Sequence, residues 1–186
     1  DRVDFRDPKV FWNKDKWIMP LVAGREVRFY GSKDLKNWEF LSVFTSPNKN
    51  PEGIWECPDL RLVPTEDGGA KWVLTISVGT GNTSYFGMQY FVGEFNGVEF
   101  VADDDQEILI QDMGFDNYAA VSYEGVEDRS LQIGWMNCWY YADRIPEKGF
   151  RGTMTIPKEM VLGKRGGRYI LLQKPARELY AKKEAL

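Results

Sequence analysis

The chain is 186 residues long, 43% hydrophobic and 28% charged, a composition that can bury one good-sized core and excludes disorder. A net charge of −4 with no basic stripe argues against nucleic acid or a membrane surface as partner, and no apolar run reaches the ~18 residues of a membrane span. With no histidine in the sequence, Ser-His-Asp triads, Cys-His dyads and His-ligated zinc are ruled out, which leaves carboxylates as acid and base.

In chain order, a first module opens at Asp7-Pro8-Lys9-Val10-Phe11-Trp12 and continues with apolar runs at 16–23, 27–31 and 38–44. A second opens at Asp59-Leu60-Arg61-Leu62-Val63, preceded by Glu56-Cys57-Pro58, and continues at 72–78, 89–95 and 98–101. Phe95-Asn96-Gly97-Val98 reads as a tight hairpin, since Asn-Gly accepts the positive φ values of a type I′ turn. A third opens at Asp116-Asn117-Tyr118-Ala119-Ala120 and continues at 131–136, 152–160 and 169–172. Pro175 then stands at the first turn of a predicted short helical tail or linker through Lys182, Lys183 and Glu184.

The leading aspartates stand at 7, 59 and 116, so 52 and then 57 residues apart. Four short strands per unit of about 50 residues is the signature of a β-propeller blade. The fold expected is therefore all-β, with about three four-stranded blades at 5–45, 55–102 and 114–172. In a propeller the innermost strands line the central channel, so Asp7, Asp59 and Asp116 would approach one another at its mouth. Each can equally cap a turn with its carboxylate.

The remaining chemistry is sparse. Cys57 and Cys138 are too few for a disulfide framework and read as two buried free thiols. Asp103-Asp104-Asp105 lacks the spaced oxygen ligands of a calcium loop, so no metal or cofactor is called for. Trp12, Trp17, Trp38 and Trp72 recur at strand positions and read as packing, whereas Trp55 could wall Glu56 with apolar surface.

Arg6-Asp7-Pro8, Glu56-Cys57-Pro58-Asp59-Leu60, Gly114-Phe115-Asp116-Asn117-Tyr118-Ala119, Ile133-Gly134-Trp135-Met136-Asn137, Arg151-Gly152-Thr153-Met154 and Pro157-Lys158-Glu159 resemble, in order, successive motifs of glycoside hydrolase family 32. These are the invertases, levanases, inulinases and related β-fructofuranosidases. The resemblance implies a five-bladed propeller, with 1–172 as part of it and 173–186 as a linker toward a C-terminal β-sandwich. It implies a retaining glycosidase acting on sucrose or fructans such as levan and inulin. Glu56 matches the general acid/base and Asp7 the transition-state stabiliser, while Arg6, Asp59, Asp116 and Tyr118 match residues about the fructose pocket and Trp135 could present a stacking face. For Arg6 and Asp59 an ion pair holding strand ends is an equal reading, and Trp135 can instead be a core aromatic.

The family's nucleophile is an aspartate in a Trp-Met-Asn-Asp-Pro-Asn-Gly type motif that precedes Arg-Asp-Pro. In this sequence Trp135-Met136-Asn137 is followed by Cys138 and Trp139, so that string is read as part of a later blade. Five blades need about 250 residues or more. The 186-residue chain is therefore expected to be inactive alone. A noncatalytic carbohydrate-binding propeller and a five-bladed arabinan- or xylan-cleaving glycosidase are the alternatives; a WD-repeat propeller lacks its Gly-His and Trp-Asp signatures. The sequence leaves the compartment open, with export favoured over the cytoplasm.

Overall fold

The computed structural model describes residues 4–46, 53–80, 86–103 and 108–181. Three antiparallel sheets follow one another along the chain. The first holds β1 (Phe5–Arg6), β2 (Phe11–Asn13), β3 (Lys16–Ala23), β4 (Val27–Ser32) and β5 (Glu39–Phe44). Both β1 and β2 pair with β3, through Arg6 opposite Val22 and Phe11 opposite Ile18, so the two short strands share one edge position, interrupted between them. The second sheet holds β6 (Ile54–Pro64), β7 (Ala70–Thr80) and β8 (Gly87–Phe95), with β9 (Phe100–Ala102) and β10 (Leu109–Ile110) sharing its far edge. The third runs β11 (Tyr118–Ser122), β12 (Ser130–Trp135), β13 (Lys158–Arg165) and β14 (Arg168–Pro175). This is the expected all-β, blade-by-blade architecture, part of a propeller.

Burial follows from each sheet's place in the stack. β4 alternates, with Val27 and Phe29 buried and Arg28 and Tyr30 half-exposed, because one face meets the core. In the middle sheet β8 is buried at nearly every position: Phe91 and Phe95 pack toward the first sheet and Tyr90 and Val92 toward the third. A strand covered on both faces loses its alternation and reads as a continuous apolar run. The larger core joins the first two sheets and is aromatic-rich, with Phe29 against Phe95 and Phe44 against Trp55, Phe91 and Phe100. Each such ring contributes ~1.5–3 kcal/mol on burial.

Three expectations change. Gly97 takes φ +95 while Asn96 stays outside the left-handed region, so Asn96-Gly97 is not a type I′ turn. Asn96 Oδ1 instead accepts from the amides of Val98 at 2.8 Å and Glu99 at 2.9 Å, closing a four-residue loop, and the next strand starts at Phe100 rather than Val98. The predicted strand at 152–160 begins only at Lys158; before it, Met136 and Thr155 donate to Thr153 and Gly134 across an isolated bridge, with Gly152 at φ +91 turning the chain in. The tail does not open a helix at Pro175, which ends β14 and is followed by one 3₁₀ turn at Arg177–Leu179. Lys182, Lys183 and Glu184 lie outside the described residues, as do Asp104 and Asp105. Asp103 pairs with Lys71 at 2.5 Å.

Candidate active site

The leading strands of the three sheets carry a shared irregularity. Asp7, between β1 and β2, Cys57 in β6 and Ala119 in β11 all adopt left-handed φ, at 58, 47 and 50°. At Cys57 and Ala119 the pairing slips, between Glu56 and Asp59 and between Tyr118 and Val121. None of the three is glycine, so each holds a conformation that costs ~1–3 kcal/mol and persists only where the surroundings impose it. A bulge of this kind re-aims the side chain beside it. The residues preceding the left-handed ones are Arg6, Glu56 and Tyr118, and these three meet.

Glu56 stands at the centre, its side chain 14% exposed. Arg6 Nη2 donates to Oε1 at 3.0 Å, and the Tyr118 hydroxyl donates to Oε2 in a short bond. Burial and the Glu56 charge push the Tyr118 phenol up, so it stays protonated and available as donor. Arg6 is itself held by Asp4 at 2.5 Å, a residue that nothing in the sequence marks out. Asp7 Oδ2 accepts from the Cys57 amide at 3.0 Å and lies 3.9 Å from Arg6 Nε. Two carboxylates, a guanidinium and a phenol from three strands thus form one cluster. Tyr118 stacks on Phe86 at 4.3 Å, and Trp135 pairs with Tyr118 across β11 and β12 while its ring lies tilted against Trp139 at 4.7 Å.

Two predicted site residues lie apart. Asp59 is 2% exposed and turned from the cluster, accepting from the Ser122 amide at 2.5 Å and its hydroxyl at 3.0 Å. Asp116 is exposed and accepts from the Tyr141 hydroxyl at 2.6 Å. The three leading aspartates therefore hold separate partners rather than one mouth, because the bulges, not the aspartates, set the register. Trp55 gives Glu56 no wall: it is fully buried on the other face of β6, against Phe44 and Phe91. Trp12 packs edge-on against Trp17 but stays 52% exposed. A cleft of about 410 Å³ lies toward the far end of the leading strands, lined by Trp12, Trp72, Arg61 and Glu127 and by neither Glu56 nor Asp7.

Both cysteines are free thiols, Cys138 buried and Cys57 only half-buried. Burial first, then the charges of Asp7 and Glu56, push the Cys57 thiol up to about 12, and burial raises Cys138 as well. Reactivity follows the thiolate, so at pH 8 Cys57 should be alkylated by iodoacetamide about 10³-fold more slowly than a free cysteine. Mass spectrometry of the folded protein over a time course checks this; labelling at the model-peptide rate would contradict it.

Residues 1–175 match the family model described as the glycosyl hydrolases family 32 N-terminal domain. A levanase of Bacillus subtilis (strain 168) is 42% identical over 186 residues, covering 95% of this chain and 27% of that protein. An extracellular exo-inulinase of Aspergillus awamori is 37% identical, over 92% of this chain and 35% of its own length. The crystal structure of exo-inulinase from Aspergillus awamori superposes with a TM-score of 0.85 at 36% identity, over 92% of this chain and 36% of that one. A fructofuranosidase from Schwanniomyces occidentalis, solved as its E230A form complexed with fructosylnystose, gives 0.83 at 34% identity, over 92% and 35%. The chain thus spans about a third of the length of these relatives.

Proposed function

The chain belongs to glycosyl hydrolase family 32, and from that premise we propose that the protein hydrolyses β-fructofuranosidic bonds, in sucrose or in fructans, with retention of configuration. The observation that carries this is the convergence of Glu56, Asp7, Arg6 and Tyr118 from three adjacent leading strands. The levanase and exo-inulinase names of the relatives favour fructans within that class.

Glu56 is assigned the proton transfers. It protonates the glycosidic oxygen as the fructosyl unit departs, then takes a proton from the water that attacks in the second step. Arg6 on one oxygen and Tyr118 on the other fix its plane and hold the charge it carries after giving up its proton. Asp7, anchored by the Cys57 amide, is assigned to fructose hydroxyls, where bonds that tighten only as the ring becomes oxocarbenium-like lower the barrier. Trp135, half-buried beside Tyr118, is assigned a stacking face for the sugar. The acid cluster would sit in the central channel of a propeller whose present strands form 1–172.

Retention needs a nucleophilic carboxylate roughly 5 Å from the acid/base. No string in this sequence matches the nucleophile motif. Purified 1–186 is accordingly expected to release no fructose from sucrose, inulin or levan, whereas the full-length protein releases it. Turnover by 1–186 that Glu56→Gln abolishes would assign the nucleophile to a residue within this chain. Sugar binding by the full-length protein without any hydrolysis would favour the noncatalytic reading.

A further inference from the structure

Below the acid cluster, a second set of contacts ties the same three strands together at one residue. Ser122 closes β11, and each of its polar groups is held by a charged side chain from another sheet. Its amide and hydroxyl donate to Asp59 at 2.5 and 3.0 Å, and its carbonyl accepts from Lys9 Nζ at 2.8 Å. Lys9 reaches across from the first sheet, Asp59 from the second. Around them Glu124 takes Lys9 at 3.5 Å and Arg61 at 3.0 Å, so the two cations and two carboxylates balance in charge. Asp59 is buried and Lys9 is less than a fifth exposed, so the bonds on Ser122 are shielded from solvent and little weakened by salt, whereas Glu124 is half exposed and its ion pairs are screened.

Each member lies just beyond a left-handed residue. Lys9 is two residues past Asp7, Asp59 two past Cys57, and Ser122 three past Ala119. Within the acid cluster the two bonds on Glu56 run between side chains that can rotate, and only the Cys57 amide on Asp7 comes from the backbone. A shared anchor on the backbone of β11 removes that freedom at the point where all three strands pass. We propose that this knot, Lys9 and Asp59 on Ser122, sets the spacing of Asp7, Glu56 and Tyr118, which makes Lys9, Asp59 and Ser122 positioning residues for the hydrolysis. The inference rests on the assignment of Glu56 as acid/base; the residues themselves touch no reacting atom.

The test uses the full-length protein. In Asp59→Asn the amide group turns a donor toward one of the two Ser122 donors, and Lys9→Met removes the bond to the carbonyl. Because a misplacement of about 1 Å can cost roughly 10²-fold in rate, both variants should lose about 10- to 100-fold in kcat on the best of sucrose, inulin and levan. KM should stay within about threefold, and Lys9→Arg should recover most of the loss. Folded Asp59→Asn and Lys9→Met proteins with kcat within twofold of wild type would overturn the proposal. Should Asp59→Asn fail to fold, Ser122→Ala, which removes only the hydroxyl bond, is read in its place, with about a 3- to 10-fold loss expected and no loss counting against the knot. A wild-type protein without turnover would instead sink the functional assignment. The knot is then judged on the carboxyl ¹³C resonance of Glu56, identified by its disappearance in Glu56→Gln. Lys9→Met must move that resonance, and an unmoved signal overturns the proposal.

Discussion

Replacing Glu56 by glutamine in the full-length protein is expected to lower kcat on sucrose or levan by about 10²- to 10⁴-fold, the range that general acid–base catalysis supplies. The substitution keeps the shape: the amide oxygen still accepts from one of Arg6 and Tyr118, which approach opposite oxygens of the native carboxylate. The transferable proton is lost, and the amide nitrogen now faces a donor. A substrate whose leaving group departs without protonation, such as an aryl fructoside, should lose far less in the first step than sucrose does. That contrast separates loss of the acid from general damage, since a misfolded site would lose both equally. Release of the aryl alcohol, set against release of glucose from sucrose, checks it, because fructose itself leaves only in the second step, which Glu56 also serves. A Glu56→Gln enzyme within tenfold of wild type on sucrose would remove Glu56 from the chemistry.

The sheets were legible in the sequence because their signal is periodic and local. The run at 16–23 coincides with β3, and the runs at 27–31 and 38–44 fall within a residue of β4 and β5. What escaped is the register of the leading strands. Alignment on aspartates places 7, 59 and 116 together, whereas the backbone aligns 7, 57 and 119, which are an aspartate, a cysteine and an alanine. A left-handed residue is readable when it is glycine; here three different side chains hold it, so no letter marks the bulge. Since a bulge decides which face the next side chain takes, aligning the leading aspartates groups Asp59 and Asp116 with Asp7, whereas Asp59 binds Ser122 and Asp116 binds Tyr141. The family motifs still delivered Arg6, Asp7, Glu56 and Tyr118, because those strings identify residues without needing their geometry.

Trp55→Ala is the substitution expected to cost most in stability, about 3–5 kcal/mol. Trp55 is fully buried, stacked on Phe44 at 6.2 Å and tilted against Phe91 at 5.7 Å, and it joins the first two sheets at the start of β6. Truncation leaves a cavity that neighbouring rings cannot fill, because Phe44 is already braced by Phe91 and Phe100. Against a typical total of ~5–15 kcal/mol this is a large fraction, and at ~2–4 °C per kcal/mol the melting temperature should fall by roughly 6–20 °C. Trp55→Phe should behave differently. The indole Nε1 is buried without a hydrogen-bond partner among the described residues, and an unsatisfied buried donor costs ~1–3 kcal/mol. Phenylalanine gives up some packing area but removes that orphan, so its net effect should stay within about 1 kcal/mol. Denaturant unfolding of the two variants checks the pair. An Ala variant that costs under about 1 kcal/mol would mean the Trp55 cavity collapses freely, and a Phe variant as damaging as Ala would mean the indole nitrogen is bonded after all. Trp55 and Glu56 are adjacent on opposite faces of β6, so the same strand that anchors the core presents the acid, and stability lost at one is position lost at the other.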